Sequence, residues 1–322
     1  MGGEVGDTGT ISSEAFTAEV IDMKAPEKGL VAHVVTVTSG TVTVGESVAA
    51  QVDKLRRARI SRNHTCTHLL HAALRSVLGS HINQAGSYVG PDRLRFDFTH
   101  FEAMTSEELA QVEKLANEQI MLALPTNIYE TSLSSAREAG VTALFGEKYG
   151  ETVRVVEAGE FSKELCGGCH VSNTSEIGLV KIVSESSVGA NTRRIEALTS
   201  FDALDYLNGF EVPMKELSSK LRTPVQDVVA RVESTLAQVK ELTSELKKAK
   251  TSSNDILPES LDEYIVDAGF PVFVYRKDGL DAGGMRNFWD IVRARLDNGG
   301  ACVLASCLLY TSPSPRDRQK SR

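Results

Sequence analysis

Up to about residue 53 the chain alternates β-branched and polar residues around turn signals. In "HVVTVTSGTVTVGESV", Val35 and Val37 precede Ser39-Gly40, and Val42 and Val44 follow it. That is a hairpin pattern, and it predicts a small β-barrel-like domain over residues 1–53. From Lys54 the spacing turns helical. In "RNHTCTHLLHAAL", Arg62 to Leu74, the apolar Leu69, Leu70, Ala73 and Leu74 lie on flanks that can pack inward. A second helix is marked in "TSEELAQVEKLANEQIMLALP" by a Thr105/Glu108 capping box. Leu109, Val112, Leu115, Ala116 and Ile120 follow at helical spacing, and Pro125 lies beyond the end. "IGLVKIV" and "RRIEAL" read as strands, so residues 54–200 form an α+β domain.

Further on, Val225, Val228, Val232, Leu236, Val239, Leu242 and Leu246 recur every three or four residues within 213–250. Thr223 is the expected N-cap, Pro224 the first helical residue, and Gln226 the partner in a capping box. This long helix, in a segment 201–253, suits either a coiled-coil or antiparallel seam or an ordinary core-facing stripe. "KTSSNDILPES" reads as a linker. "FPVFVYR", "MRNFWDIVRARL" and "ACVLAS" then predict a strand-helix-strand unit, a partial α/β domain over 254–306. The closing "CLLYTSPSPRDRQKSR" departs from this pattern, and 307–322 reads as a non-native or disordered tail. The fold class expected is α+β: a small β-barrel, an α/β domain, a long helix and a small C-terminal α/β unit.

With 322 residues and 41% hydrophobic content the chain can fill more than one core. No early segment resembles a signal peptide and no apolar run approaches membrane-spanning length, so a cytoplasmic protein with no membrane partner is expected. Five cysteines, at 66, 166, 169, 302 and 307, are an odd number and do not look like a secreted disulfide framework. Metal binding or burial accounts for them better. The net charge of −8 argues against indiscriminate nucleic-acid binding. One local basic face remains in "KLRRARISR", with Lys54, Arg56, Arg57, Arg59 and Arg62. It is either a solvated helix face or a phosphate contact.

The helix that follows carries candidate chemistry. At 100° per residue His64 and His68 share a face, and His71 lies one turn further along it. Two imidazoles one turn apart can hold a divalent metal. A second half-site lies in "ELCGGCHVSNTSEIG", where Cys166 and His170 stand four apart across Gly167-Gly168, and the glycines let the loop turn both side chains to one point. Three nitrogens and one sulfur suit tetrahedral zinc. Cys66, Cys169 and His71 compete for ligand positions, and spacing does not rank them.

"RNHTCTHLLHAAL", "LRFDFTH", "ELCGGCHV" and "TRRIEALT" together resemble the editing domain of the alanyl-tRNA synthetases and of their free-standing AlaX relatives. "GGEVGDTGTI" resembles the segment that opens the preceding β-barrel in that family, and "RVESTLAQVKELTSELKKAK" its oligomerisation helices. The resemblance runs from Gly2 to about Ser306. It implies zinc held by His64, His68, Cys166 and His170, and an amino-acid pocket that includes Thr67 and Gln84 as the residues serving catalysis. Cys66 stands where the family commonly has Ala, and Cys169 where Thr is usual. No aminoacylation or ATP-binding domain of the class II type is visible, so the chain reads as a fragment.

What the resemblance implies functionally is hydrolytic editing. A synthetase pocket built for alanine rejects glycine or serine by only roughly 10- to 200-fold, so a second site must hydrolyse the wrong esters. The implied substrate is tRNA(Ala) carrying serine, with glycine second. Zinc is expected to organise the site rather than to supply the attacking hydroxide, because four protein ligands leave no open position. Thr67 would offer its hydroxyl to the serine side chain, and Gln84 would orient the ester or the water. RNA contact is expected at Arg56, Arg57 and Arg59, with Arg193 and Arg194, and homo-oligomerisation through 213–250. A zincin peptidase is disfavoured, since His-Thr-Cys-Thr-His has no Glu between its histidines. The alternative is a non-catalytic, zinc-stabilised tRNA-binding or dimerisation module.

Overall fold

The computed structural model describes residues 3–27, 30–143, 149–252, 262–280, 282–293 and 301–307. Its chain divides into two compact units, Met1–Met214 and Lys215–Arg322. In the first, β1 (Gly9–Ser12), β2 (Phe16–Glu27), β3 (Leu30–Gly40) and β4 (Ala49–Val52) form an antiparallel sheet in the order β3-β2-β1-β4. This corrects the expected β-barrel: among the described residues β3 and β4 are the two free edges, and the sheet stays open. The hairpin expected around Ser39-Gly40 is displaced as well. Residues 41–48 form no strand, Val44 is fully exposed, and β3 pairs backwards onto β2, with Val35 opposite Val20 and Val37 opposite Ala18. Period-two alternation identifies a strand and its faces, but it does not say which neighbour supplies the ladder.

The next elements are α1 (Lys54–Leu78), β5 (Gln84–Val89), β6 (Leu94–Thr99), α2 (Ser106–Met121), β7 (Thr126–Ser132), α3 (Leu133–Glu138), β8 (Thr152–Ala158), β9 (Ser162–Leu165), β10 (Val180–Gly189), β11 (Thr192–Thr199), α4 (Ser200–Asn208) and α5 (Glu211–Leu221). Asp53 caps α1 by accepting from the Arg56 N–H. The Thr105/Glu108 capping box forms at α2 as its sequence predicts. An antiparallel sheet in the order β10-β11-β6-β5 carries α1 and α2. Leu69, Leu70, Ala73 and Leu74 of α1 meet Phe96 and Phe98 of β6, Val112 and Ala116 of α2, and Ile195 of β11 in one core. Each large side chain so buried contributes about 1.5–3 kcal/mol. The packing also fixes the rotation of α1, so His64 and His68 face the end of β9. That strand belongs to a second antiparallel sheet, β7-β8-β9.

In the second unit a 3-10 turn at Val225–Asp227 leads into α6 (Val228–Ser252), followed by β12 (Ile265–Asp267), β13 (Pro271–Arg276), α7 (Ala282–Arg293) and β14 (Ala301–Ala305). The cap expected at Thr223 is not used. Arg222 has φ 51°, Ser218 Oγ donates to the Thr223 carbonyl at 2.5 Å, and the turn after Pro224 has no side-chain cap. Thr223 therefore closes α5 instead of opening α6. The apolar stripe of α6 is largely uncovered: Val228 is buried, while Val232, Leu236, Val239, Leu242 and Leu246 are exposed. β13 and β14 are parallel neighbours joined through α7, the strand-helix-strand unit read from sequence, around buried Phe273, Phe288 and Val292. Residues 250–252 of the expected linker belong to the end of α6, while 253–260 and residues 308–322 of the expected tail lie outside the described residues. No helix among the described residues is long and apolar enough to cross a membrane.

Candidate metal centre

His64 and His68 lie in the buried middle of α1, and β9 ends at Leu165, so Cys166 and His170 occupy the loop that follows it. One donor atom from each of these four residues lies within 4.8 Å of all the others. Cys166 Sγ is 3.3 Å from His64 Nε2 and 3.3 Å from His170 Nε2. A tetrahedral ion with bonds of about 2.0–2.3 Å separates its ligands by about 3.3–3.8 Å, and both of these sulfur–nitrogen distances fall in that range. The loop is held from outside: Arg154 Nη1 donates to the carbonyls of Cys166 at 2.7 Å and Gly168 at 3.0 Å. Gly168 is required by space, since a Cβ there would overlap the His64 ring and the Glu4 carboxylate.

Each imidazole has a further partner. His64 Nδ1 is hydrogen-bonded to Glu4, and His170 Nδ1 lies 3.1 Å from Thr65 Oγ1. His68 Nε2 lies 3.8 Å from Glu164 Oε2. A hydrogen-bonded carboxylate or hydroxyl behind a histidine fixes its tautomer and orientation, as around metals, and Glu4 and Thr65 stand so to His64 and His170; Glu164 meets His68 only as a nearby charge.

The family model described as "Threonyl and Alanyl tRNA synthetase second additional domain" matches residues 153–196, which include Cys166 and His170. Over 299 residues, 92% of its length, the chain is 44% identical to an alanine–tRNA ligase of Alkaliphilus oremlandii. It is 46% identical over 302 residues to the alanine–tRNA ligase of Acetivibrio thermocellus, and 45% identical over 306 residues to that of Geobacillus kaustophilus. Over about nine-tenths of its length the chain is thus similar to a part of alanine–tRNA ligases. It spans about a third of the length of these relatives, 34% in each case.

At this cluster the electrostatics favour a thiolate. Burial opposes ionisation of Cys166, yet hydrogen bonds with His170, His64 and His68 pull its pKa down to about 2. For His64, burial disfavours the charge, but Cys166 and Glu4 raise its pKa to about 9. Burial and the neighbouring histidines His68 and His64 lower that of His170 to about 4, against the pull of Cys166.

The three competing residues separate from the four donors. Cys66 is fully buried in the core and its thiol is pushed up by that burial, so it behaves as a small hydrophobe. Cys169 donates its backbone N–H to Glu4 at 2.9 Å, and burial followed by the Glu4 charge raises its thiol pKa. His71 turns to Glu164, its Nδ1 2.9 Å from Oε1.

Thr67 and Gln84 lie outside the donor set. Thr67 is buried and its hydroxyl donates to the Asn63 carbonyl at 2.8 Å, which leaves oxygen lone pairs but no free proton. Gln84 is half-buried at the start of β5, beside a bulge between Gln84 and Gly86. Its amide has no hydrogen-bond partner among the described residues. The arginines expected at RNA are all engaged within the protein. Arg56 donates to the Gly6 carbonyl at 2.7 Å, Arg57 pairs with Asp7, and Arg59 forms a two-pronged pair with Asp202. Arg193 pairs with Glu185 and Arg194 with Asp97. The chief residues missed in the sequence are Glu4 and Glu164. Glu164 left a signal, a charged residue at an inward position of the short strand before Cys166.

Proposed function

We propose that this segment is a zinc-stabilised aminoacyl-tRNA deacylase that removes serine, and secondarily glycine, from tRNA(Ala). The observation that carries the reading is the clustered set of three imidazoles and one thiolate, His64 and His68 buried and Cys166 and His170 half-buried, half of it inside the family-matched segment. A sulfur donor among nitrogen donors fits zinc better than a hard cation. His64, His68, Cys166 and His170 would hold the ion, which when bound supplies a fixed positive centre beside the aminoacyl end.

The chain's own residues do the rest by positioning, since an aminoacyl ester is already activated and needs only an oriented water. Cys166 is held by three imidazoles as a ligand and is not free to attack. Because Thr67 spends its proton on Asn63, it would accept a hydrogen bond from a seryl hydroxyl; an alanyl group leaves that bond unmade. Gln84, with its amide unengaged, would orient the ester carbonyl or the water. The arginine pairs serve first to hold α1, β10 and β11 in place, and a phosphate would be met by their remaining guanidinium N–H groups.

The test is deacylation of seryl-, glycyl- and alanyl-tRNA(Ala) by the purified chain and by Cys166→Ala, with zinc measured in both. Loss of serine ahead of alanine, abolished together with the zinc in Cys166→Ala, is the expected result. Absence of hydrolysis at full zinc occupancy would favour a non-catalytic tRNA-binding or dimerisation module. The uncovered apolar stripe of α6 gives that second reading its support.

A further inference from the structure

One carboxylate joins the two halves of the metal centre. Glu4 Oε2 is hydrogen-bonded to His64 Nδ1 in α1, and the same oxygen accepts the Cys169 N–H at 2.9 Å from the loop after β9. The opposite nitrogen of His64, Nε2, faces Cys166 Sγ at 3.3 Å. Glu4 is itself fixed by backbone pairing to the end of β5: Val5 N–H donates to the Val89 carbonyl at 3.1 Å, and Val89 N–H to that of Gly3 at 2.9 Å. Gly168 completes the arrangement, because any side chain there would occupy the space where the carboxylate reaches the ring. Burial opposes ionisation of Glu4, but its bonds to His64 and Cys169 outweigh that and hold its carboxyl below the usual range.

We propose that Glu4 is a positioning residue of the metal centre, keeping the His64 ring with Nε2 toward the ion and pinning the Cys166–His170 loop against α1. The inference rests on reading the four donors as a zinc site. Glu4 is not one of those donors and acts only through His64 and the loop. Carboxylates behind a metal-bound histidine typically change metal affinity by about 10- to 100-fold when removed. Both bonds converge on a single oxygen, which makes a sharp prediction. Glutamine offers one carbonyl oxygen at the same reach and can accept both, whereas aspartate keeps the charge but falls short by one methylene.

The experiment uses the full chain and its Glu4→Gln, Glu4→Asp and Glu4→Ala variants. Zinc affinity is measured by competition with a chromogenic chelator, and the cobalt-substituted forms are compared by absorption spectroscopy. Expected is near-parental affinity in E4Q, with weakening of about 10- to 100-fold in E4A and an intermediate loss in E4D. The cobalt spectrum should keep its thiolate band and shift its ligand-field bands in E4A and E4D, which a merely structural role would not produce. If E4A fails to fold, the contrast between E4Q and E4D decides. Zinc bound by E4D or E4A as tightly as by the parent overturns the proposal while leaving the four-donor site standing. Failure of the parent itself to bind zinc stoichiometrically overturns both.

Discussion

Glu164 stands between two histidines, with Oε1 2.9 Å from His71 Nδ1 and Oε2 3.8 Å from His68 Nε2. It is almost wholly buried. Burial pushes its carboxyl pKa up, yet the charge of His68 and the hydrogen bond with His71 outweigh it and hold the pKa below the usual range. His71→Leu would preserve the bulk and strand a buried carboxylate. Removing one partner of such a pair costs about 3–5 kcal/mol. Urea unfolding of the metal-free protein should show a loss of that order; a loss under about 1 kcal/mol would mean that His68 alone serves Glu164.

The space argument at Gly168 makes a second prediction. Gly168→Ala places a methyl group where the His64 ring and the Glu4 carboxylate now meet, so these two hydrogen-bonded side chains must give way. Zinc affinity should fall by at least about tenfold, in line with loss of an outer partner. Gly189→Ala is the control, since nothing lies within 4 Å of the added carbon. Equal zinc affinity in the two variants would show that the loop can shift without disturbing the donors.

Proton linkage follows from the same cluster. Without metal at pH 7.5 Cys166 is already a thiolate and His170 is neutral, whereas His64, with its pKa raised to about 9, carries a proton that zinc must displace. Because the His64 pKa is raised, the proton competes most at low pH and ceases to compete above about 9. Zinc affinity should therefore rise by about tenfold per pH unit between 7 and 9 and then level off. Calorimetry in two buffers of different ionisation enthalpy, reading about one proton released at pH 7.5, checks this. No release would mean that His64 is already neutral.

How much of this was legible in the sequence depended on the range of the interactions. The helix of His64 and His68 and the box at Thr105 and Glu108 are written in spacings of three and four residues, and both formed as read. The two half-sites could be paired because Cys166 and His170 carry donor chemistry that an ordinary turn does not need. Glu4 and Glu164 could not be assigned, since their partners His64 and His71 are brought to them only by the packing of α1 against β5 and β9. The arginines illustrate the converse. Arg57 and Arg59 looked like a free basic face because their partners Asp7 and Asp202 lie far away in the chain. β3 was recognised as a strand by Val35 and Val37, but its partner β2 lay behind it in sequence, not ahead.

The stripe on α6 offers a test independent of the metal. Leu236 and Leu242 are 64% and 62% exposed, and several further apolar side chains continue the line. Apolar rows of this spacing gain stability by packing against another helix, and a second copy of α6 would present the same row. In a single chain, Glu at both positions touches no core, so each change should move stability by no more than about 0.5 kcal/mol. In a self-associated form the charges would be desolvated against apolar neighbours, so the assembly should dissociate. Light scattering across a concentration series should show the parent chain above monomer mass and the Leu236→Glu/Leu242→Glu variant at monomer mass, with unchanged helicity and zinc content. Equal masses for the two proteins would remove self-association from the roles of α6 and leave the stripe to a different partner.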